Sequence, residues 1–112
     1  MIGSEKPKEL AAFYEKVFGK APDMTDGNWS GWSVGGCYLS IGEHSEVKGK
    51  SKEPARIMFN FETSEVKEEF ERIKKTGAKV VAEPYEMEGS WVATFEDLDG
   101  NYFQLMSPWE SK

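Results

Sequence analysis

The chain repeats one order of elements twice, and this repeat restricts its fold more than any other feature. Apolar residues recur at helical spacing in Pro7–Phe18 and in residues 64–76, and a glycine follows each stretch as a predicted helix stop. Ser64 is predicted to cap the second helix. Strand-like segments precede and follow both helices. Each half is therefore predicted to run strand, helix and then further strands.

The connections between these elements can also be predicted. Alternating apolar segments place strands at residues 1–3, 29–34, 37–41, 56–61, 79–82, 91–95 and 102–106. Residues 43–54 are polar and charged, so they are predicted to join the two halves, and residues 84–89 are predicted to form another loop. Near the end, Asp99-Gly100 predicts a two-residue hairpin turn, because glycine adopts a positive φ without steric cost.

Length and composition exclude several classes of protein. A chain of 112 residues with one cysteine fits a single domain that lacks a disulfide framework. Its apolar runs are too short to span a membrane, and its first residues do not form a secretory signal, so we expect a soluble, cytoplasmic protein. The net charge of -6, with dispersed basic residues, argues against a nucleic-acid partner. A small molecule is the expected ligand.

Three motifs resemble one superfamily. The last hairpin, in residues 96–105, has an Asp-x-Asp-Gly-Asn turn followed by Phe103-Gln104-Leu105. Residues 10–19 look like the superfamily's first-helix signature, and residues 76–80 look like its second-helix exit. By these motifs the chain resembles the vicinal oxygen chelate superfamily, which includes glyoxalase I, extradiol dioxygenases, fosfomycin-resistance enzymes and bleomycin-resistance proteins.

The resemblance implies an α+β fold of two βαβββ modules, whose curled mixed sheets surround a shared cleft. One glyoxalase-like domain would then cover residues 1–112, with the first module at about 1–46 and the second at about 54–108. Members of the superfamily often dimerise. The predicted first strand is only three residues long, and a partner chain would complete its sheet, so a homodimer is expected.

Strand parity predicts which side chains face the cleft, because successive side chains point to opposite faces of a sheet. The predicted cleft-facing residues are Arg56, Met58, Asn60 and Glu62 on one strand, Tyr38 and Ser40 on another, and Tyr102, Gln104 and Met106 on the last. Cys37 has the opposite parity, so it is predicted to be a buried structural cysteine that faces the helices. The only histidine, His44, is predicted to be solvated in a loop.

The resemblance also implies where a metal would bind. Metal-using members carry His on the strands that precede the helices and Glu on later strands. The corresponding positions here are Arg56, Ser40 and Gln104, and the first His position falls before Met1. A guanidinium repels a cation, and a hydroxyl or carboxamide is a weak neutral donor. No metal and no other cofactor is therefore expected.

These residues predict a protein that binds a small molecule in the cleft without the usual metal site. Arg56 would hold an anionic or carbonyl group of an apolar or aromatic ligand. The predicted ligand-binding residues are Arg56, Ser40, Gln104, Tyr38, Met58, Asn60, Tyr102 and Trp91. Two alternatives stay open at this position. Arg56 could pair with an acid such as Glu62 or Glu43, or Trp and acidic side chains could bind a cationic ligand.

Two other functions remain alternatives. A metal-dependent glyoxalase-like lyase or isomerase would need a degenerate site that recruits donors such as Glu43, His44, Glu62 or Glu96. An interaction module would use its exposed aromatic residues to bind another protein. The sequence assigns no catalytic residue, so it leaves open whether the protein is an enzyme.

Overall fold

The computed structural model describes residues 1–108 as two units, one over Met1–Lys50 and one from Ser51 onward. The elements of the first unit are β1 (Ile2–Ser4), α1 (Pro7–Phe18), β2 (Met24–Asp26), β3 (Trp29–Val34) and β4 (Cys37–Glu43). Those of the second are β5 (Phe59–Glu62), α2 (Val66–Lys74), β6 (Lys79–Met87), β7 (Ser90–Glu96) and β8 (Tyr102–Met106). Each unit is a βαβββ module, which confirms the predicted α+β fold.

The two sheets have the same topology. The first unit has the strand order β1-β4-β3-β2, and the second has the order β5-β8-β7-β6. In each sheet the first strand pairs in parallel with the last strand, and all other pairs are antiparallel. Each sheet has one helix packed on one of its faces. The opposite face of each sheet is called its open face below.

Helix α1 begins and ends where the sequence predicts. Pro7 occupies the first turn, where its missing N–H costs nothing. Gly19 adopts φ 72°, and its N–H donates to Glu15 O over 2.9 Å, which closes the helix. Tyr14 on the apolar stripe is fully buried, and Phe18 contacts the buried Trp32 of β3 at 5.5 Å between ring centroids. This cluster is the core of the first unit.

Helix α2 is shorter than predicted and lacks the predicted cap. It covers Val66–Lys74, and no side chain caps its first turn, because the Thr63 hydroxyl instead accepts the Glu65 N–H over 3.1 Å. Ser64 is therefore not the cap. The helix packs through Phe70, whose ring stacks on Phe95 of β7 at 5.2 Å.

Two strand boundaries differ clearly from their predictions, and one strand was not predicted. Strand β5 begins at Phe59, not at residue 56, because the preceding residues form a turn in which the Arg56 N–H donates to Glu53 O over 3.1 Å. Strand β6 continues through the predicted loop to Met87, with register shifts on both sides of Ala82, and the second of these shifts spans Pro84. Strand β2 was not predicted, since its three exposed residues carry no apolar alternation.

The last hairpin also differs from its prediction. Strands β7 and β8 are joined by a five-residue loop over residues 97–101 and not by a two-residue turn. Gly100 has the expected positive φ of 78°. The loop is wider because the Asp97 carboxylate accepts the N–H groups of Asp99 and Asn101, both over 2.9 Å. Among residues 1–108, no helix is long and apolar enough to cross a membrane.

Candidate functional site: two open sheet faces

The open face of the second unit carries a row of polar side chains across three strands. Asn60 of β5 lies beside Gln104 of β8, and Gln104 lies opposite Thr94 of β7. The Gln104 Nε2 donates to Thr94 Oγ1 over 3.2 Å. Thr94 is buried and Gln104 is half-buried, so this bond fixes the carboxamide and leaves its carbonyl oxygen available to accept.

The side chains beyond the two ends of this polar row differ in polarity and charge. Toward one end, Met106 of β8 lies opposite the fully buried Val92 of β7, which pairs with Tyr85 of β6. Toward the other end, Tyr102 lies opposite Glu96, whose carboxylate is 3.6 Å from Lys79 Nζ. One end of the face is therefore apolar on β6, β7 and β8, with the exposed Glu62 of β5 beside Met106. The middle is neutral and hydrogen-bonding, and the other end is charge-balanced.

A shallow pocket of about 390 Å³ adjoins the charged end of this face. It is lined by Tyr102 and by the turn Glu53, Pro54, Ala55 and Arg56. Arg56 forms a salt bridge with Glu53 in the same turn, and both side chains are largely exposed. Arg56 therefore does pair with an acid, as one of the predicted alternatives had it. The acid is Glu53, however, and not Glu62 or Glu43. Because β5 starts at Phe59, Arg56 does not share a row with Gln104.

Two more predicted ligand-binding residues lie away from the polar row. Met58 precedes β5 by one residue and is 40% exposed. Trp91 has the same parity as Ala93 and Phe95, so it lies on the helix-facing side of β7, where Lys67 Nζ of α2 sits 3.8 Å from its ring centroid. The structure thus brings Asn60, Gln104 and Tyr102 together and separates them from Trp91.

The open face of the first unit holds the remaining predicted residues, Tyr38 and Ser40. Tyr38 lies beside Trp29 at 6.2 Å between ring centroids, with an interplanar angle of 25°. Ser40 lies opposite Gly31, over which both rings extend. The sequence analysis did not assign Trp29 to a site. Alternation puts Trp29 and Gly31 on one face of β3, but only the pairing of β3 with β4 shows that Tyr38 and Ser40 share this face.

Cys37 and His44 differ in how well they match their predictions. Cys37 is exposed and not buried, because it sits at the tip of the β3–β4 hairpin, where it pairs with Val34. His44 is exposed in the loop after β4, as predicted, and its Nδ1 accepts the Glu46 N–H over 3.2 Å.

The donors in the described chain do not fit the metal site that the superfamily implies. At the implied positions, Ser40 offers a hydroxyl, Gln104 offers a carboxamide already bonded to Thr94, and Arg56 is a cation. Glu96, a possible replacement donor, faces Lys79 instead. Across residues 1–108, no group of three or more His, Cys, Asp and Glu side chains could hold a metal ion.

One carboxylate in the first unit has a perturbed acidity. The Ser33 N–H donates to Asp23 Oδ2 over 2.6 Å and lowers the pKa of Asp23, and the Lys20 ammonium at 3.2 Å lowers it further. This link ties the segment after α1 to β3.

Comparison with known proteins agrees with this architecture. The family model described as a glyoxalase-like domain matches residues 1–106. The chain belongs to this glyoxalase-like family. The match places it in the vicinal oxygen chelate superfamily, as the sequence motifs predict. Comparison with curated proteins gave no match.

Solved structures share the fold of this glyoxalase-like domain. A glyoxalase/bleomycin resistance protein/dioxygenase family enzyme from Burkholderia phytofirmans is 20% identical, with a TM-score of 0.75 over 95% of this chain and 93% of that one. A glyoxalase/bleomycin resistance protein from Albidiferax ferrireducens is 14% identical, with a TM-score of 0.77 over 97% and 95%. TioX from Micromonospora is 18% identical, with a TM-score of 0.71 over 99% and 94%. These identities establish the fold alone.

Proposed function

We propose that this glyoxalase-like domain binds a small organic molecule on its open sheet faces, with neutral hydrogen-bonding groups in place of a metal centre. The observation that carries this proposal is the bond between Gln104 and Thr94. It holds a neutral carboxamide at the position where metal-using relatives are expected to carry a glutamate. A fixed carboxamide is suited to orient a ligand, but it supplies no charge for a metal.

The surroundings of Gln104 suggest which ligand groups are suited to this face. Gln104 Oε1 accepts from a ligand N–H or O–H, and the neighbouring Asn60 amide both donates and accepts. Met106 and Tyr85 offer apolar surface at one end of the row, where Glu62 lies at the edge beside Met106, and Tyr102 lines the pocket at the other end. A ligand with an amide, carbonyl or hydroxyl beside an apolar body matches this pattern.

Arg56 has a smaller role in this proposal than the sequence alone predicts. Its guanidinium is exposed and already paired with Glu53, so an anionic ligand would have to displace that carboxylate. An exposed ion pair of this kind contributes roughly 0–1 kcal/mol, so displacement costs little. We therefore retain Arg56 as a secondary contact at the pocket and assign the orienting role to Gln104.

The test is calorimetry of the purified protein against a panel of small amides, lactams, phenols and carboxylates, with a strong chelator present. We expect binding in chelator, weakened about tenfold by Gln104→Met, which removes the amide at similar volume. Thr25→Val on the exposed strand β2 is the control and should bind as the wild type does. Ligands that bind only after a divalent metal is added would refute the proposal.

The predicted homodimer and cytoplasmic location remain predictions. Sedimentation velocity across a range of protein concentrations tests the first of them. A single species of monomer mass at every concentration would contradict a homodimer, and the same binding experiment on that species would show whether ligand binding needs a partner chain.

A further inference from the structure

The loop that joins β7 to β8 buries two carboxylates that are stabilised very differently. Asp97 and Asp99 are only 4% and 5% exposed. The Asp97 carboxylate accepts the backbone N–H groups of Asp99 and Asn101, and it also accepts from the Asn101 Nδ2 over 3.1 Å. These donors offset the loss of solvent around the Asp97 charge.

The Asp99 carboxylate has no such donors. Its Oδ2 atom is buried, and no hydrogen-bond donor in residues 1–108 reaches it. The Asp99 side chain forms no ion pair with those residues either. A buried carboxylate without a donor or a counter-charge is destabilising, because it gives up its bound water and receives nothing in exchange. Asp99 therefore calls for a positively charged partner from outside the described chain.

The donors that the loop offers to such a partner are oxygen atoms. Asn101 directs its Nδ2 to Asp97, so its Oδ1 remains available as a ligand. Residues 97–101 include no His or Cys, and an all-oxygen donor set suits hard cations. This donor set differs from a cluster of three or more acidic, His or Cys side chains, which residues 1–108 do not form.

We propose that the loop over residues 97–101 binds a calcium ion through Asp99 Oδ2, with Asn101 Oδ1, backbone carbonyls and water as the remaining ligands. The inference goes beyond the proposed function, because it concerns neither Gln104 nor the molecule that the open face binds. A divalent cation suits a loop that buries two carboxylates. Calcium suits it better than magnesium, because an ion that contacts a buried oxygen must shed part of its hydration shell, and Mg²⁺ dehydrates reluctantly.

The same loop holds the first residue of the second unit. The Asp99 carbonyl oxygen accepts the Ser51 N–H over 2.8 Å. An ion bound to the Asp99 carboxylate restricts the motion of this residue, so calcium should slow the hydrogen exchange of the Ser51 amide. Ser51 is not one of the proposed ligands, so its amide reports on the loop without touching the ion.

The experiment titrates calcium chloride into protein that has been treated with a chelator and then desalted. Binding is measured by calorimetry, and its location by the amide NMR shifts of Asp99, Gly100 and Asn101. We expect one site with a Kd of about 0.1–1 mM, because few of its ligands are charged. Calcium at about 10 mM should raise Tm by several degrees, and magnesium at the same concentration should raise it much less.

Asp99→Asn tests whether the buried carboxylate holds the ion. Without calcium this variant should be at least as stable as the wild type, because it removes an uncompensated buried charge. With calcium the Tm of the wild type should rise and that of the variant should not. Asp26→Asn is the matched control, because Asp26 is an exposed acid on strand β2, and it should bind calcium as the wild type does.

Asn101→Ala tests the second ligand. It removes the carboxamide oxygen but keeps both backbone hydrogen bonds between Asn101 and Asp97, so the loop retains its main-chain closure. Calcium binding should weaken about threefold, because one oxygen ligand is replaced by water. This variant keeps the proposal testable even if Asp99→Asn fails to fold.

Several outcomes would overturn the calcium site. These are an unchanged Tm of the wild type in calcium, equal calcium affinity in the wild type and Asp99→Asn, equal stabilisation by magnesium, or an unchanged exchange rate of the Ser51 amide. Binding of the amide panel in chelator without any effect of calcium would refute the calcium site and leave the proposed function standing. Calcium binding without any panel ligand would do the reverse.

Discussion

The two units share one topology but present opposite chemistry on their open faces. On the last two strands of the first unit, Ser40 lies opposite Gly31, and two aromatic rings cover the space above the glycine. On the matching strands of the second unit, Gln104 lies opposite Thr94 and bonds to it. One face is therefore an exposed aromatic surface, and the other is a fixed hydrogen-bonding surface.

The difference shows which positions the fold constrains and which it leaves free. Large apolar residues occupy central helix-facing positions in both sheets, and those named here are fully buried: Trp32 and Ile41 in the first, and Phe95 and Phe103 in the second. Alternate positions on the same strands face away from the helices, so they can change chemistry without disturbing these cores. A repeated module can thus carry two chemically unlike open faces.

The largest expected effect is a loss of stability caused by a substitution in the core of the second unit. Phe95 stacks between Phe70 and Phe103, at 5.2 and 5.5 Å between ring centroids, and is fully buried. Phe95→Ala should lower the free energy of unfolding by about 3–5 kcal/mol, because it leaves a cavity in this stack. Urea denaturation measures the loss, and the exposed Met87→Ala should stay within about 0.5 kcal/mol.

Hydrogen exchange on the same variant tests whether the modules form the predicted single domain. Equal loss of amide protection in both units would support one cooperative domain. Loss confined to the residues from Ser51 onward would mean that the first unit is stable by itself, and the single-domain prediction would be wrong. An unfolding free energy within about 1 kcal/mol of the wild type would contradict the role given to the aromatic stack.

A smaller effect compares one hydroxyl side chain on each of the two open faces. Thr94→Val keeps the side-chain volume but leaves Gln104 Nε2 without its acceptor, so it should lower the free energy of unfolding by about 1 kcal/mol. Ser40→Ala on the first unit removes a hydroxyl that bonds to no side chain in residues 1–108, and it should stay within about 0.5 kcal/mol. Chemical denaturation of both variants gives the comparison. Similar losses would mean that the Gln104 bond contributes no more than an average surface substitution.

The sequence predicted the repeated architecture because that depends on local patterns. The apolar stripe of α1 and its flanking Pro7 and Gly19 act within one helix, so both ends were correct. Alternation on β8 correctly placed Phe103 and Leu105 in the core. These patterns need no knowledge of neighbouring strands.

The candidate sites were harder to predict because they depend on register. A turn that pairs Arg56 with Glu53 precedes β5 and delays its start to Phe59. Apolar alternation alone does not detect this turn, so it predicted a strand from residue 56. The partner of Gln104, Thr94, is ten residues away and becomes its neighbour only through the pairing of β7 with β8. Cys37 has core parity but lies at a hairpin tip, and parity does not show how far a helix extends over a sheet.

The smallest effect concerns how each unit connects its helix to its next strands. After α2 the chain closes on its own backbone, with the Thr76 hydroxyl donating to Ile73 O over 2.6 Å. After α1 the connection instead uses a charge, since Asp23 Oδ2 accepts from the Ser33 N–H and from Lys20. Only the connection after α1 should therefore depend on pH.

The direction of this dependence follows from the lowered pKa of Asp23. A carboxyl group that is more acidic in the folded state stabilises that state above its unfolded pKa, and the contribution is lost as the pH falls through the folded value. Asp23→Asn should therefore be slightly less stable than the wild type at neutral pH, and the difference should shrink below about pH 4. Urea midpoints at neutral and acidic pH measure it. Asp26→Asn is the control, because the Asp26 carboxylate forms no ion pair within residues 1–108. A difference that is constant with pH would show that Asp23 acts through hydrogen-bond geometry alone, and the contrast between the two connections would then not be electrostatic.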